Sequence, residues 1–222
     1  MLKINEIFET IQGEGSYTGV PSLFVRLQGC PVGCPWCDTQ HTWEVDDDHR
    51  IPVKLLLEKT GDSTQWSAMS ESQIIELLSS SQYTAKHVVI TGGEPCMYDL
   101  NLLTQSLHEA GFSTQIETSG TFEIRCSANT YVTVSPKIDM PGGYAILPSA
   151  MARANEIKHP IAMQKHIDDL DALLQQNLVS EDTVIALQPI SQRPRATELA
   201  IRTCIQRNWR LSLQTHKYLG IE

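Results

Sequence analysis

Short apolar runs alternate with amphipathic stretches along nearly the whole chain, and the two patterns predict different elements. Leu23–Leu27, Val88–Thr91, Thr114–Glu117, Tyr131–Ser135, Glu156–Lys158, Val184–Gln188 and Leu211–Thr215 read as strands. Helices are predicted between them. Ser70 with Gln73 forms a capping-box signature opening a helix that runs to about Ser80. Leu100–Ala110 stops at Gly111, a residue suited to the position just past a helix. In Ala196–Arg207, the residues Leu199, Ala200, Ile201, Cys204 and Ile205 recur at helical spacing. Such alternation predicts a mostly parallel sheet with helices outside it. Eight βα units take about 250 residues, so 222 residues with one long loop predict an incomplete βα barrel. Trp43–Met69 has no clean period and is rich in charge, and is expected to be an insertion within a single domain, 1–222.

The residues that follow each strand carry the next inference. Leu23–Leu27 leads to Gln28 and a loop of cysteines, and Val88–Ile90 leads to Thr91-Gly92-Gly93-Glu94-Pro95. Ile116 leads to Glu117-Thr118-Ser119-Gly120, Val132–Val134 to Ser135-Pro136-Lys137, and Ile185–Leu187 to Gln188-Pro189. Polar and glycine residues at successive strand ends describe the active face of a βα barrel. Five loops agree on one composite site.

Composition narrows the class. At 41% hydrophobic the chain can bury one sizeable core. With 17 basic and 26 acidic residues the formal charge is −9, which argues against a broad nucleic-acid footprint. No apolar run approaches membrane-spanning length. The chain opens Met1-Leu-Lys-Ile-Asn without an apolar signal segment, so its six cysteines point to a reducing cytoplasm. The run Asp46-Asp47-Asp48 reads as a solvated loop.

Cys30-Pro-Val-Gly-Cys34-Pro-Trp-Cys37 is the most specific local pattern. Three thiols on one short loop leave a metal position open, as catalytic sites do. A zinc site completed by His41 is the alternative, although structural zinc usually shows two paired half-sites and Cys96, Cys126 and Cys204 are scattered singly. Cys204 falls on an apolar helix face, and His87, His108, His159 and His166 show no ligand spacing. Trp36 either shields the cysteine loop or simply packs on it. In Thr91–Pro95 two glycines allow close backbone approach to a ligand, and Glu94 can accept from an ammonium group.

The cysteine spacing resembles the signature of the radical S-adenosylmethionine (SAM) superfamily, and Gly92-Gly93-Glu94-Pro95 resembles its SAM-binding glycine motif. Glu9–Gly15, Pro21–Cys30, Asp38-Thr39, Thr91, Ser135-Pro136-Lys137 and Gln214–Gly220 together resemble the 7-carboxy-7-deazaguanine synthase family of queuosine biosynthesis, over essentially the whole chain. The resemblance implies a partial barrel of the radical SAM type, a [4Fe-4S] cluster on Cys30, Cys34 and Cys37, SAM, and Mg²⁺ at Thr39, with Asp38 beside it. It implies rearrangement of 6-carboxy-5,6,7,8-tetrahydropterin to 7-carboxy-7-deazaguanine with loss of ammonia, through hydrogen abstraction by a SAM-derived radical. Gly93, Ser135, Pro136 and Lys137 match SAM contacts, and Gln188 joins them by its strand-end position. Ile11, Gln12, Gly13, Arg26, Thr91 and Glu222 match substrate contacts, with Glu14 close by. Read alone, Arg26 would equally suit a surface salt bridge, Asp38-Thr39 a helix cap, and the tail after Thr215 a frayed end. That tail is too short for another helix packing back along the sheet; fully extended it would reach about 23 Å, enough to fold over the active face. A flavodoxin or ferredoxin reductant and a homodimer follow from the family. Rival readings are a glycyl-radical activating enzyme and a non-catalytic zinc- or tRNA-binding module.

Overall fold

The computed structural model describes residues 1–221, the side chain of Gln192 excepted. In chain order the regular elements are β1 (Leu2–Ile11), β2 (Pro21–Leu27), α1 (Val53–Leu57), β3 (Ser67–Met69), α2 (Glu71–Leu78) and β4 (His87–Gly92). There follow α3 (Asn101–Glu109), β5 (Ser113–Thr118), β6 (Tyr131–Val134), α4 (Pro148–Arg153), β7 (Glu156–Ile161) and α5 (Gln164–Gln176). The chain closes with β8 (Val184–Pro189), α6 (Pro194–Arg207), β9 (Arg210–Leu211) and α7 (Thr215–Leu219). Among the described residues nine strands form one sheet in the order β3-β1-β2-β4-β5-β6-β7-β8-β9. From β2 to β9 every neighbouring pair is parallel, and β1 is antiparallel to β2 and β3. The sheet is therefore open, a partial βα barrel, as the alternation of runs predicts.

Period-two alternation within the strands separates core from site. Val88 and Ile90 of β4, with Ile116 of β5, pack into a core with Ile74 and Leu78 of α2 and Leu103 and Leu107 of α3. Val132, Val134, Ile157, Ile161 and Leu187 pack outward into a second core with Met151, Ile167, Leu170, Ala200 and Cys204. The intervening residues turn to the other face, and there the sheet is polar: Gln115, Glu117, Thr133, Glu156 and Lys158. A barrel interior would ordinarily be filled by branched apolar side chains. This one is reserved for something polar.

Three elements depart from the pattern. β1 is a strand of ten residues whose alternation is broken by buried Asn5 and by a register shift between Ile4 and Glu6. Leu211–Thr215 is not a strand: only Arg210–Leu211 pairs with β8, and Thr215 opens α7. Gly13 O accepts both Thr215 N (2.9 Å) and Thr215 Oγ1 (3.0 Å), which starts this short helix against the loop after β1. Within Trp43–Met69, α1 and β3 are regular, and β3 extends the sheet beyond β1. The capping box at Ser70 forms as predicted. No helix among the described residues is long and apolar enough to cross a membrane.

Candidate active site

The C-terminal ends of the parallel strands open on a cavity of about 530 Å³. Cys30, Cys34, Cys37, Thr39, Gly93, Ser135, Lys137, Gln188, Ile11, Gln12, Gly13, Arg26 and Thr91 all line it. Pro136 is buried beside the cavity without lining it, and Glu222 lies outside the described residues. His41 does not line it either; its Nδ1 lies 3.7 Å from Asp62 Oδ1.

The cysteine loop is held at its root by Gln28. This buried side chain donates to His41 O (3.1 Å) and Glu44 O (2.7 Å) and accepts from Asn5 Nδ2 (2.7 Å). Burial pushes the Cys30 thiol up to about 11 and also raises Cys34, against which Lys137 acts in the opposite sense. Bound metal would override that preference, since a coordinating thiol is deprotonated outright. The indole that reaches a thiol is Trp43, whose Nε1 donates to Cys37 Sγ at 3.4 Å. Trp36 lines the cavity but is 39% exposed.

The glycine motif is explained by the loop beside it. A Cβ at Gly93 would lie 2.2 Å from Gly29 O and 2.9 Å from Cys30 Cβ, and one at Gly92 2.4 Å from Leu27 O. The motif thus seats directly on the backbone entering the cysteine loop, tied by Gly93 N to Leu27 O (3.0 Å) and Glu94 N to Gly29 O (2.8 Å). Glu94 is not available to an ammonium in the way its position suggests. Its two oxygens accept from Cys96 N, Thr118 Oγ1, Ser119 N and Ser119 Oγ, which fills the four acceptor positions of a carboxylate. It ties the β4 loop to the β5 loop instead.

Arg26 and Thr91 are register partners on β2 and β4. Arg26 Nε is paired with Glu6 Oε1 at 2.5 Å, and the guanidinium lies 5.8 Å from the Phe8 ring. That contact aims it rather than consuming it, because no partner occupies the two terminal nitrogens among the described residues. Gln12 and Gly13 are shaped largely by the chain itself. Gln12 N donates to Val20 O and Gln12 O accepts from Gly19 N, while a Cβ at Gly13 would lie 2.3 Å from His216 Nδ1. Lys137 Nζ donates to Ser135 Oγ (2.8 Å), and Gln188 Oε1 accepts from Ser212 Oγ (2.9 Å). Cys37 Sγ lies 3.6 Å from Thr39 Oγ1, and Lys217 Nζ 3.4 Å from Asp38 Oδ2.

One constellation had no signal in the sequence as a group. Lys158 Nζ lies between Glu14 Oε2 (2.6 Å) and Glu117 Oε2 (2.9 Å), all three lining the cavity. Gln214 Nε2 donates to the other oxygen of Glu14 (2.9 Å), and Gln115 Nε2 to the other oxygen of Glu117 (2.9 Å). The two carboxyls diverge. Burial acts to raise Glu14, but the Lys158 ammonium overcomes it and holds the group at about 2. For Glu117 burial prevails over Lys158, with Glu14 adding repulsion, and the carboxyl is pushed up to about 7. The arrangement is a wall of acceptors around one cation.

The family model of a 4Fe-4S single cluster domain matches residues 11–123. A 7-carboxy-7-deazaguanine synthase of Escherichia coli (strain K12) is 58% identical over 218 residues, covering 98% of each chain. The chain belongs to the 7-carboxy-7-deazaguanine synthase family. Another synthase, from Buchnera aphidicola subsp. Schizaphis graminum (strain Sg), is 47% identical over 218 residues, again 98% of both chains. The crystal structure of QueE from Escherichia coli matches with a TM-score of 0.94 and 56% identity, covering 96% of this chain and 93% of that one.

The cofactors of the 7-carboxy-7-deazaguanine synthase family, a [4Fe-4S] cluster and SAM, fit this donor set. Three thiols face one cavity from one loop, with an N–H donor on one sulfur, as Fe–S sites use. Among the described residues no three His, Cys, Asp or Glu side chains are gathered as ligands of a single ion.

Proposed function

We propose that this chain rearranges 6-carboxy-5,6,7,8-tetrahydropterin to 7-carboxy-7-deazaguanine with release of ammonia, a step of queuosine biosynthesis. The observation that carries the reading is the convergence of the cysteine loop, Arg26 and the Glu14–Lys158–Glu117 wall on one cavity. Cys30, Cys34 and Cys37 would hold the cluster, which when bound supplies the electron that cleaves SAM to a hydrogen-abstracting radical. Gly93, Ser135, Lys137 and Gln188 bind SAM, Lys137 pairing with its carboxylate, and Pro136 is assigned with them by family resemblance. Arg26, aimed by Glu6, clamps the substrate carboxylate. The amino and ring N–H groups of the pterin edge are donors, and the Glu14–Lys158–Glu117 wall offers acceptors to them. Ile11, Gln12, Gly13 and Thr91 shape the same side, and Glu222 is assigned with them by family resemblance. Thr39, beside Asp38, contributes one oxygen to Mg²⁺, a hard cation that keeps several waters. The chain acts as one radical SAM domain, 1–222, with 43–69 as an insertion, in the cytoplasm, as a homodimer reduced by a flavodoxin or ferredoxin.

The test is anaerobic reconstitution with iron and sulfide, then incubation with SAM, reductant and carboxytetrahydropterin. Product and ammonia should form together, and Cys30→Ala, Cys34→Ala and Cys37→Ala should each abolish both, while Cys204→Ala should keep them. Full turnover in any of the three loop variants removes the reading. Tightly bound zinc without sulfide would replace it with a zinc site.

A further inference from the structure

We infer that Gln115 is a positioning residue that holds Glu117 against the substrate, and that His87 fixes the amide that does so. The inference rests on the proposed reaction. Gln115 is fully buried on β5, behind the acceptor wall. Its Nε2 donates to Glu117 Oε1 (2.9 Å) and Thr133 Oγ1 (3.1 Å), which uses both amide hydrogens. Its Oε1 lies 3.1 Å from His87 Nε2, with Gln12 Nε2 at 3.5 Å. A flipped amide would set a carbonyl oxygen against the Glu117 carboxylate, so the orientation matters.

His87 decides that orientation. Its Nδ1 lies 2.9 Å from Ser113 Oγ, and the Tyr17 ring stacks on it at 4.2 Å. Burial lowers its basicity and favours the neutral ring. Because an amide oxygen can only accept, the contact with Gln115 Oε1 calls for the tautomer protonated at Nε2, with Nδ1 facing the Ser113 hydroxyl. A line of side chains therefore runs from the cavity, through Glu117 and Gln115, to His87 at the far end of the barrel. Glu117 itself faces Lys158 and Glu156 from β7 and Glu14 from the loop after β1, with His216 beyond Glu14. Without the Gln115 donor, Lys158 alone would orient the Glu117 carboxyl, through one oxygen, leaving Oε1 without its Gln115 donor. Donation from Gln115 both fixes the plane of Glu117 and favours its ionised form.

The experiment uses the reconstituted enzyme and three variants, Gln115→Met, His87→Phe and His87→Gln. Carboxytetrahydropterin affinity is measured with SAM but without reductant, and kcat/KM is followed against pH. Gln115→Met should weaken affinity on the order of tenfold and move the acidic limb of kcat/KM upward by about one pH unit, with iron content unchanged. His87→Phe should show the same signs more weakly, and His87→Gln, whose amide can donate to the same oxygen, should restore them. Parent-like affinity and limb in both Gln115→Met and His87→Phe overturn the inference, as does His87→Gln as impaired as His87→Phe. Should Gln115→Met fail to fold, the two His87 variants decide the matter. A parent enzyme that binds no carboxytetrahydropterin overturns the proposed reaction and the inference with it; normal parent binding with unresponsive variants overturns the inference alone.

Discussion

Replacing Lys158 by Met should cost more stability than any surface change, by an amount that depends on pH. The Lys158 side chain is 5% exposed, and its ammonium lies 2.6 and 2.9 Å from two carboxylates. Met keeps the length of the chain but leaves two buried acids facing each other. Breaking a buried ion pair from one side costs about 3–5 kcal/mol. For a chain of this size that lowers Tm by about 6–20 °C. In the parent the two acids oppose each other. Glu14, held at about 2, contributes stability that is present above its ordinary 4.5 and lost as pH falls toward 2. Glu117, pushed to about 7, subtracts stability as pH rises from 4.5 to 7. Without Lys158 both carboxyls rise, so the deficit of Lys158→Met should grow between about pH 5 and 8. Adding Glu117→Gln should recover much of it, because a neutral amide needs no counter-charge. Thermal unfolding of the reconstituted variants over that range is the assay. A loss under about 1 kcal/mol, a loss independent of pH, or no recovery in the double variant would refute the account.

Trp43→Phe removes the N–H from Cys37 Sγ; iron content should persist while the cluster's reduction potential falls, read by a spectroscopic redox titration. Gly13→Ala places a methyl 2.3 Å from His216 Nδ1 and should raise KM for the pterin on the order of tenfold, with cluster absorption intact in steady-state assays. Thr39→Ala should weaken Mg²⁺ stimulation only in part, since one hydroxyl is lost among several oxygens, and a titration of activity against Mg²⁺ checks it.

The buried parallel strands were legible where they are short apolar runs, as in Val88–Ile90, or carry apolar residues at every second position, and the cysteine and glycine loops because their residues are close in sequence. β1 was not, since buried Asn5 and the register shift after Ile4 erase its alternation. Leu211–Thr215 reads as a strand by composition, yet Gly13 captures Thr215 from across the fold and turns it into a helix. The wall around Lys158 was invisible for the same reason. Its partners are 144 and 41 residues away, and a lysine in a short strand announces no partner. Glu94 shows the converse: its place in the motif suggested a ligand contact, and only the structure reveals four protein donors around it.

The seam where the open barrel is bridged joins residues 13–15 to residues 212–215. Gly15 N donates to Ser212 Oγ, Gln214 Nε2 to Glu14 Oε1 and Thr215 N to Gly13 O, across separations of 197, 200 and 202 residues. Contacts of such range close late in folding, because their loop entropy must be met before they repay it. During synthesis the loop after β1 must wait until residues 212–215 have left the ribosome. The apolar cores draw on residues that precede this seam, so a chain halted or clipped shortly before Ser212 can bury most of its core while lacking one wall of its cavity. Foldedness and competence to bind substrate are thereby acquired at different moments, and solubility of a truncated product says nothing about whether it can work.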